Sequence, residues 1–247
     1  MHLTADPLLL LTALAFLIPW ARLGAGVRRS YFAVRLALLR RRMGRDLNTL
    51  LLVLAGPIER YNTFKLVKAV YNADAHEHIT VVLDTGGGEL AAGLQLQHAL
   101  ASHTGRVTAV VPDEAWSSGT IIALAADEIL MAPSANLGAC DGILHVEPAA
   151  LLAGPTVTSA TTGESVELVR SRCNLRSVMA AIKEARIARG QEPWAAHALA
   201  ERMVSDDTDH FNPLFPEQAQ RLGAPVMVMP MSDVRRWWRL IYYAARA

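Results

Sequence analysis

The chain has 247 residues, 52% of them hydrophobic, with 24 lysines and arginines against 23 acids and a formal charge of +1. That length and apolar content support one large domain with a sizeable core, and the balanced charge argues against general nucleic-acid binding. The two cysteines, Cys140 and Cys173, show no metal spacing and allow at most one disulfide, so the expectation is a reduced, structural pair.

In chain order, Pro7 to Ala21 is apolar apart from Thr12. As a helix it extends roughly 22 Å, short of a hydrocarbon core of ~30 Å. Spanning therefore needs Leu23 to Val27 to continue the helix while Arg22 snorkels, or a locally thinned bilayer. From Arg22 to Arg45 there are eight arginines and no acid, and Asp6 is the only formal side-chain charge before Arg22. This asymmetry predicts an uncleaved membrane anchor over 1–27, N-terminus outside, with the rest of the chain cytoplasmic; an interfacial helix on an anionic leaflet is the competing reading. A basic linker follows over 28–47. Within it Arg28 to Arg42 predicts an amphipathic helix along the inner leaflet, or a plain charged linker helix, with Tyr31, Phe32, Val34, Leu36, Leu38 and Leu39 apolar.

The main domain is expected over 48–230. Its apolar runs predict strands at Leu50 to Ala55, Ile79 to Leu83, Val107 to Val111, Glu128 to Met131 and Ile143 to Val146. Between them lie helices at Thr63 to Asn72, Glu89 to Ser102 and just after Ser117. The alternation indicates an α/β fold with a mainly parallel sheet. Gly154 to Gly163 is polar and turn-rich, an exposed loop, and two more helices are expected at Glu164 to Arg189 and Pro193 to Met203. The tail over 231–247 mixes Arg235, Arg236, Arg239 and Arg246 with Trp237, Trp238, Tyr242 and Tyr243. That composition suits a membrane interface, a subunit contact or an ordinary docked helix.

Two loops carry chemistry. The strand ending in Leu83 runs into Asp84-Thr85-Gly86-Gly87-Gly88 and then a helix, and the strand ending in Val111 runs into a small-residue turn holding Ser117, with Gly119 and a helix directly behind it. Glycines let main-chain N–H groups approach a ligand closely, and a hydroxyl at a strand-to-helix turn lies beside unpaired helix N–H donors. Consecutive strand–loop–helix units in a parallel sheet bring both loops to one edge, which makes Gly88 and Ser117 partners. The competing reading of Ser117 is a simple N-cap. No Walker pattern, zinc motif, dinucleotide fingerprint or internal repeat is present, so no cofactor and no metal are expected.

The motifs resemble those of the serine dehydrogenase proteinase family, membrane-attached relatives of ClpP and signal peptide peptidase A in the ClpP/crotonase superfamily. The family's HTPGG, AMSGGT, ALAADEI and LGPVDP are similar to Asp84–Gly88, Ala115–Thr120, Ala123–Ile129 and Leu137–Gly142 here. The resemblance also takes in the N-terminal segment and His210-Phe211-Asn212-Pro213-Leu214, and covers roughly 20 to 230. It departs at three places: glycine at Gly86 for proline, serine at Ser118 for glycine, and Gly142 after Asp141 where the family has proline.

The resemblance implies a ClpP/crotonase-like fold and peptide-bond hydrolysis through an acyl-enzyme on Ser117. Asp141 is then the orienting carboxylate and His210 the general base, with the backbone N–H groups of Gly88 and Ser118 forming the oxyanion hole. His145, in the apolar run ILHV, is the alternative base. Asp141 also reads as a turn aspartate and His210 as a solvated loop histidine. A serine–lysine pair would have to draw on Lys65, Lys68 or Lys183, the only lysines. The implied substrate is a peptide or membrane protein, the implied assembly a homo-oligomer on a membrane. Two other functions compete: a non-enzymatic membrane scaffold derived from a peptidase, and a crotonase-like acyl-CoA enzyme that reuses the oxyanion loops without a serine nucleophile.

Overall fold

The structure, a computed structural model, describes residues 24–138, 140, 166–204 and 213–247. In chain order its elements are α1 (Ala25–Leu47), β1 (Leu50–Ala55), α2 (Arg60–Tyr71), β2 (Ile79–Asp84), α3 (Leu90–Ser102), β3 (Val107–Val111) and β4 (Glu114–Ala115). There follow α4 (Ser118–Ala123), β5 (Glu128–Met131), β6 (Asn136–Leu137), α5 (Val166–Ala188), α6 (Pro193–Val204), α7 (Pro216–Arg221), β7 (Val226–Val228) and α8 (Met231–Ala244).

Five strands form a parallel sheet in the order β1-β2-β3-β5-β7. Parallel strands covered on both faces bury every residue, which is why β3 is apolar throughout save Thr108 and every one of its residues is buried. The register pairs Leu50 with Ile79 and Ile79 with Val107. β2 and β3 are therefore neighbours, and the loops at their carboxyl ends open at the same edge. At that edge β4 and β6 form a second, two-stranded parallel sheet, joined to the first loop by a bridge between Thr85 and Ala115.

Helices α2, α3 and α4 pack side by side, and α5 closes over α3 and α4. Two arginines at the end of α5 complete this layer. The guanidinium of Arg186 is buried and donates to Leu124 O at 3.3 Å, to Ala126 O, and to Gln191 Oε1 at 2.9 Å. Arg189 donates to Ala125 O at 3.1 Å and Leu100 O, and pairs with Asp127 at 3.1 Å. Carbonyls just past the end of α4 thus find donors, and Leu100 O near the end of α3 gains a second one beside the His103 N–H. Burial pulls the Arg186 pKa down to about 10.

α1 and α8 pack against each other and against β1. α1 starts at Ala25, ahead of the expected boundary at 28, so that boundary falls inside one continuous helix. The 231–247 segment is docked, with Val234, Trp237, Leu240 and Ile241 buried in the core. The expected strands β1, β2, β3 and β5 are present, and the expected helices lie within a few residues of their predicted ends. β4, β6, β7 and α7 had no counterpart in the sequence reading. The Ile143 to Val146 strand and the Gly154 to Gly163 loop lie outside the described residues, as does the Pro7 to Ala21 anchor. Among the described residues, no helix is long and apolar enough to cross a membrane.

Candidate active site

Ser117 sits in a backbone conformation that side chains rarely adopt, φ 50° and ψ −117°. It occupies the N-cap position of α4, yet its hydroxyl makes no capping hydrogen bond, so the simple N-cap reading has no support. Main-chain contacts hold this strained turn. Trp116 N–H donates to Thr85 O at 2.9 Å, and Gly119 N–H donates to Trp116 O at 2.7 Å. The buried Thr120 hydroxyl is shared between Ala115 O at 2.6 Å and Gly138 O at 2.8 Å. Gly119 has to be glycine because a methyl there would lie 2.6 Å from Thr85 Cγ2. Ser117 itself is half-buried, reachable from solvent.

The triple-glycine bend lies against this turn. A methyl placed on Gly87 would fall 3.0 Å from Ser117 Cβ and 3.6 Å from its Oγ. The peptide joining Gly87 to Gly88 is held on its carbonyl side, where Gly87 O accepts from Ile58 N–H at 2.9 Å, while Glu89 N–H donates to Ile58 O at 2.8 Å. In a planar trans peptide the N–H points opposite the C=O, so the Gly88 N–H faces away from Ile58. Across the bend, Ser117 O accepts from Ile121 N–H at 3.2 Å, and the Ser118 N–H accordingly points out of the first turn of α4. Among the described residues, no main-chain oxygen accepts from either the Gly88 or the Ser118 N–H.

The serine at Ser118 fits without disturbing these loops. Its side chain is 1% exposed, and its hydroxyl donates to Gly88 O at 3.3 Å, tying the second loop to the first. Room for it comes from Gly93 in α3, where a methyl would approach Ser118 Cβ to 2.8 Å. Trp116 closes the side of the turn, its indole N–H donating to Asn136 Oδ1 at 2.6 Å and its ring lying 2.8 Å from where a methyl on Gly138 would be. Beyond it, Leu137 and Leu214 form an antiparallel bridge, with N–H to O distances of 3.0 and 2.8 Å. Sequence reasoning missed Ile58, Gly93 and Thr120 as builders of the site. A glycine inside an otherwise good helix, as at Gly93, was the one available signal.

Asp84, at the end of β2, is half-buried, and this burial, together with the nearby Asp113 and Glu114 carboxylates, raises its pKa from 3.8 to about 6. Lys65 and Lys68 lie over the rings of Tyr61 and Phe64, at 4.0 and 5.7 Å, on the outer face of α2. Cys140 is buried and its thiol lies 3.8 Å from Ser117 O, while Cys173 is exposed. Among the described residues, no group of three or more His, Cys, Asp or Glu side chains is placed to hold a metal ion. Asp141, His145 and His210 lie outside the described residues.

Residues 51–235 match the family described as ClpP-like SDH-type serine proteinase. The chain belongs to that family. Two uncharacterized proteins of Methanocaldococcus jannaschii are similar to this chain, 35% identical over 97 residues and 34% identical over 98. Each match takes in 38% of this chain and 34% of the relative, so the chain spans about a third of the curated relatives' length. Among solved structures, the fold is similar to that of a serine-to-alanine mutant of the 1510-N membrane-bound stomatin-specific protease. That alignment has TM-score 0.50 and 22% identity over 76% of this chain and 82% of the other. A lysine-to-alanine mutant of the 1510-N protease, in complex with a substrate peptide, aligns at TM-score 0.49 and 23% identity over 74% and 76%.

Proposed function

We propose that this serine proteinase cleaves peptide bonds through an acyl-enzyme on Ser117, with the Gly88 and Ser118 N–H groups as the oxyanion hole. The observation that carries the proposal is the contact of the triple-glycine bend with Ser117, whose hydroxyl is uncapped and solvent-reachable; it is supported by the Gly88 and Ser118 N–H groups, from which no main-chain oxygen accepts among the described residues. A base takes the Ser117 proton as Oγ bonds to the substrate carbonyl carbon. The carbonyl oxygen gains the negative charge, and preformed donors at that point are worth about 2.7–4 kcal/mol each. Collapse expels the amine with the proton held by the base, and water then hydrolyses the ester by the same route in reverse.

His210 is assigned as the base and Asp141 as its orienting carboxylate, with His145 as the alternative base. Leu137 and Leu214 support the pairing: they are hydrogen-bonded to each other, and Asp141 and His210 each lie four residues along the chain from one of them. The substrate is a peptide or membrane protein. The enzyme is anchored by Pro7 to Ala21, with its catalytic domain cytoplasmic and in a homo-oligomer.

A fluorophosphonate label tests the reading. The full chain is expected to take one label on Ser117, lost in Ser117→Ala, and His210→Ala is expected to slow labelling far more than His145→Ala. A folded chain that leaves Ser117 unlabelled overturns the peptidase and favours an acyl-CoA enzyme or a scaffold.

A further inference from the structure

Two basic segments far apart in sequence form one surface. Ala25–Leu47 carries seven arginines and one aspartate, and Met231–Ala247 four arginines and one aspartate, in a chain whose total formal charge is only +1. The fold lays these helices side by side. Arg35 of α1 donates to the Tyr243 hydroxyl at 3.2 Å, and Phe32 packs on Tyr242 and Tyr243 at ring distances of 6.0 and 6.2 Å.

The outward faces are amphipathic in their own right. On α8, Arg235, Trp238, Arg239 and Tyr242 recur at helical spacing opposite the buried Val234, Trp237 and Ile241, and Arg246 follows in the turn just past the helix. Trp238 and Tyr242 are 43% and 49% exposed. On α1, the exposed Val27, Val34 and Leu38 lie in line with Arg41 and Arg45, opposite the face that packs on the core. Arg40, Arg41 and Arg45 also line a cavity of about 880 Å³ with His76, His78, Asp74 and Glu77.

We propose that the α1–α8 layer lies flat on an anionic bilayer, with arginines on the headgroups and Trp238 and Tyr242 at the hydrocarbon boundary. Charge complementarity favours a polyanionic surface, the interleaved exposed aromatics favour a bilayer over nucleic acid, and the apolar Pro7 to Ala21 ends just before α1. The proposal rests on the membrane-attachment reading but is separable from it. Because the Trp238 indole N–H donates to Pro112 O at 3.0 Å, five residues before Ser117, docking fastens the nucleophile-bearing segment to the membrane side.

The test reconstitutes the full chain into phosphatidylcholine vesicles, with or without about one-third phosphatidylserine, using lipids brominated high on the acyl chain. Each arginine near an anionic leaflet is worth about a fivefold change in affinity, so Arg235→Gln/Arg239→Gln/Arg246→Gln is expected to weaken α8 docking roughly 100-fold. The expected result is a quenched tryptophan component only in anionic vesicles, removed by Trp238→Phe and by the triple variant. Unchanged fluorophosphonate labelling or thermal unfolding shows the variants folded. Flotation with both vesicle types but no quenching from Trp238 overturns the docking and leaves the anchor standing. Flotation with neither, or capture of a mixed-sequence RNA in preference to anionic vesicles, overturns the proposal.

Discussion

Ser117 stores strain, and replacing it with glycine should release that strain as stability. A residue with a Cβ held at φ 50°, ψ −117° costs of order 1–3 kcal/mol. Glycine adopts this conformation freely but loses ~0.5–1 kcal/mol more chain entropy on folding. Ser117→Gly is therefore expected to stabilise by about 1 kcal/mol, the difference between the middles of those two ranges. Ser117→Ala keeps the Cβ and the strain, and because Ser117 makes no capping bond it should move stability by less than about 0.5 kcal/mol. Both variants lose the fluorophosphonate label. Guanidinium unfolding at constant m-value reads the difference. If Ser117→Gly unfolds at the same denaturant concentration as Ser117→Ala, or below it, the turn is not strained and the argument for a preformed nucleophile turn fails.

Gly93→Ala should cost about 1–3 kcal/mol, because its methyl would meet Ser118 Cβ at 2.8 Å, yet become neutral or stabilising in a Ser118→Gly background; a double-mutant cycle of unfolding free energies checks this. Gly88→Ala would put a methyl 2.2 Å from Ile58 O, and is expected to abolish labelling of Ser117 while circular dichroism still reports a folded chain. Asp84 binds its proton more tightly folded than unfolded, so the folded state holds more protons between pH 4 and 6 and stability falls as pH rises from 3.8 through about 6. Asp84→Asn should remove that slope and gain of order 1 kcal/mol at neutral pH once solvent screening of a half-buried group is allowed for, with no gain near pH 3.5. Arg186→Met leaves Leu124 O and Ala126 O without their donor and is expected to cost about 2–4 kcal/mol in denaturant unfolding.

What the sequence reveals and what it hides divide along physical lines. β1, β2, β3 and β5 are readable because strands buried on both faces become continuous apolar runs. Their order along the chain then places the Gly88 and Ser117 loops at one edge. β4, β6 and β7 are too short to show a period, and β4 and β6 exist only because Thr85 and Ala115 bring the loops together. Ile58 is invisible as a site residue because its contribution is a main-chain N–H and C=O, which every residue type except proline supplies. The union of α1 with α8 is likewise absent from either segment alone. Each reads as amphipathic, and only the Arg35–Tyr243 hydrogen bond and the Phe32 contacts show that they share one surface.

The glycine at Gly86, where the resembling family has proline, tests whether hydrogen bonds have taken over a covalent constraint. Proline would fix one backbone angle; here the Thr85 hydroxyl accepts from Gly87 N–H at 3.1 Å, while Ile58 N–H grips Gly87 O at 2.9 Å. Thr85 is 1% exposed, so Thr85→Val removes that acceptor without changing the packed volume much and leaves a buried N–H unpaired. The expected cost is about 1–2 kcal/mol of stability, with a fall in acylation rate of tenfold or more as the Gly88 N–H loses its aim. A side chain at 86 would meet only Glu114 Oε1 at 4.0 Å, and among the described residues no main-chain oxygen accepts from the Gly86 N–H. Gly86→Pro should therefore be tolerated and restore much of the labelling rate in the Thr85→Val background, while changing it little in the wild-type chain. If proline rescues nothing, the bend is not held by the Thr85 contact. The direction of the Gly88 N–H would then be owed to the Ile58 contacts and to the Ser118 hydroxyl that donates to Gly88 O at 3.3 Å.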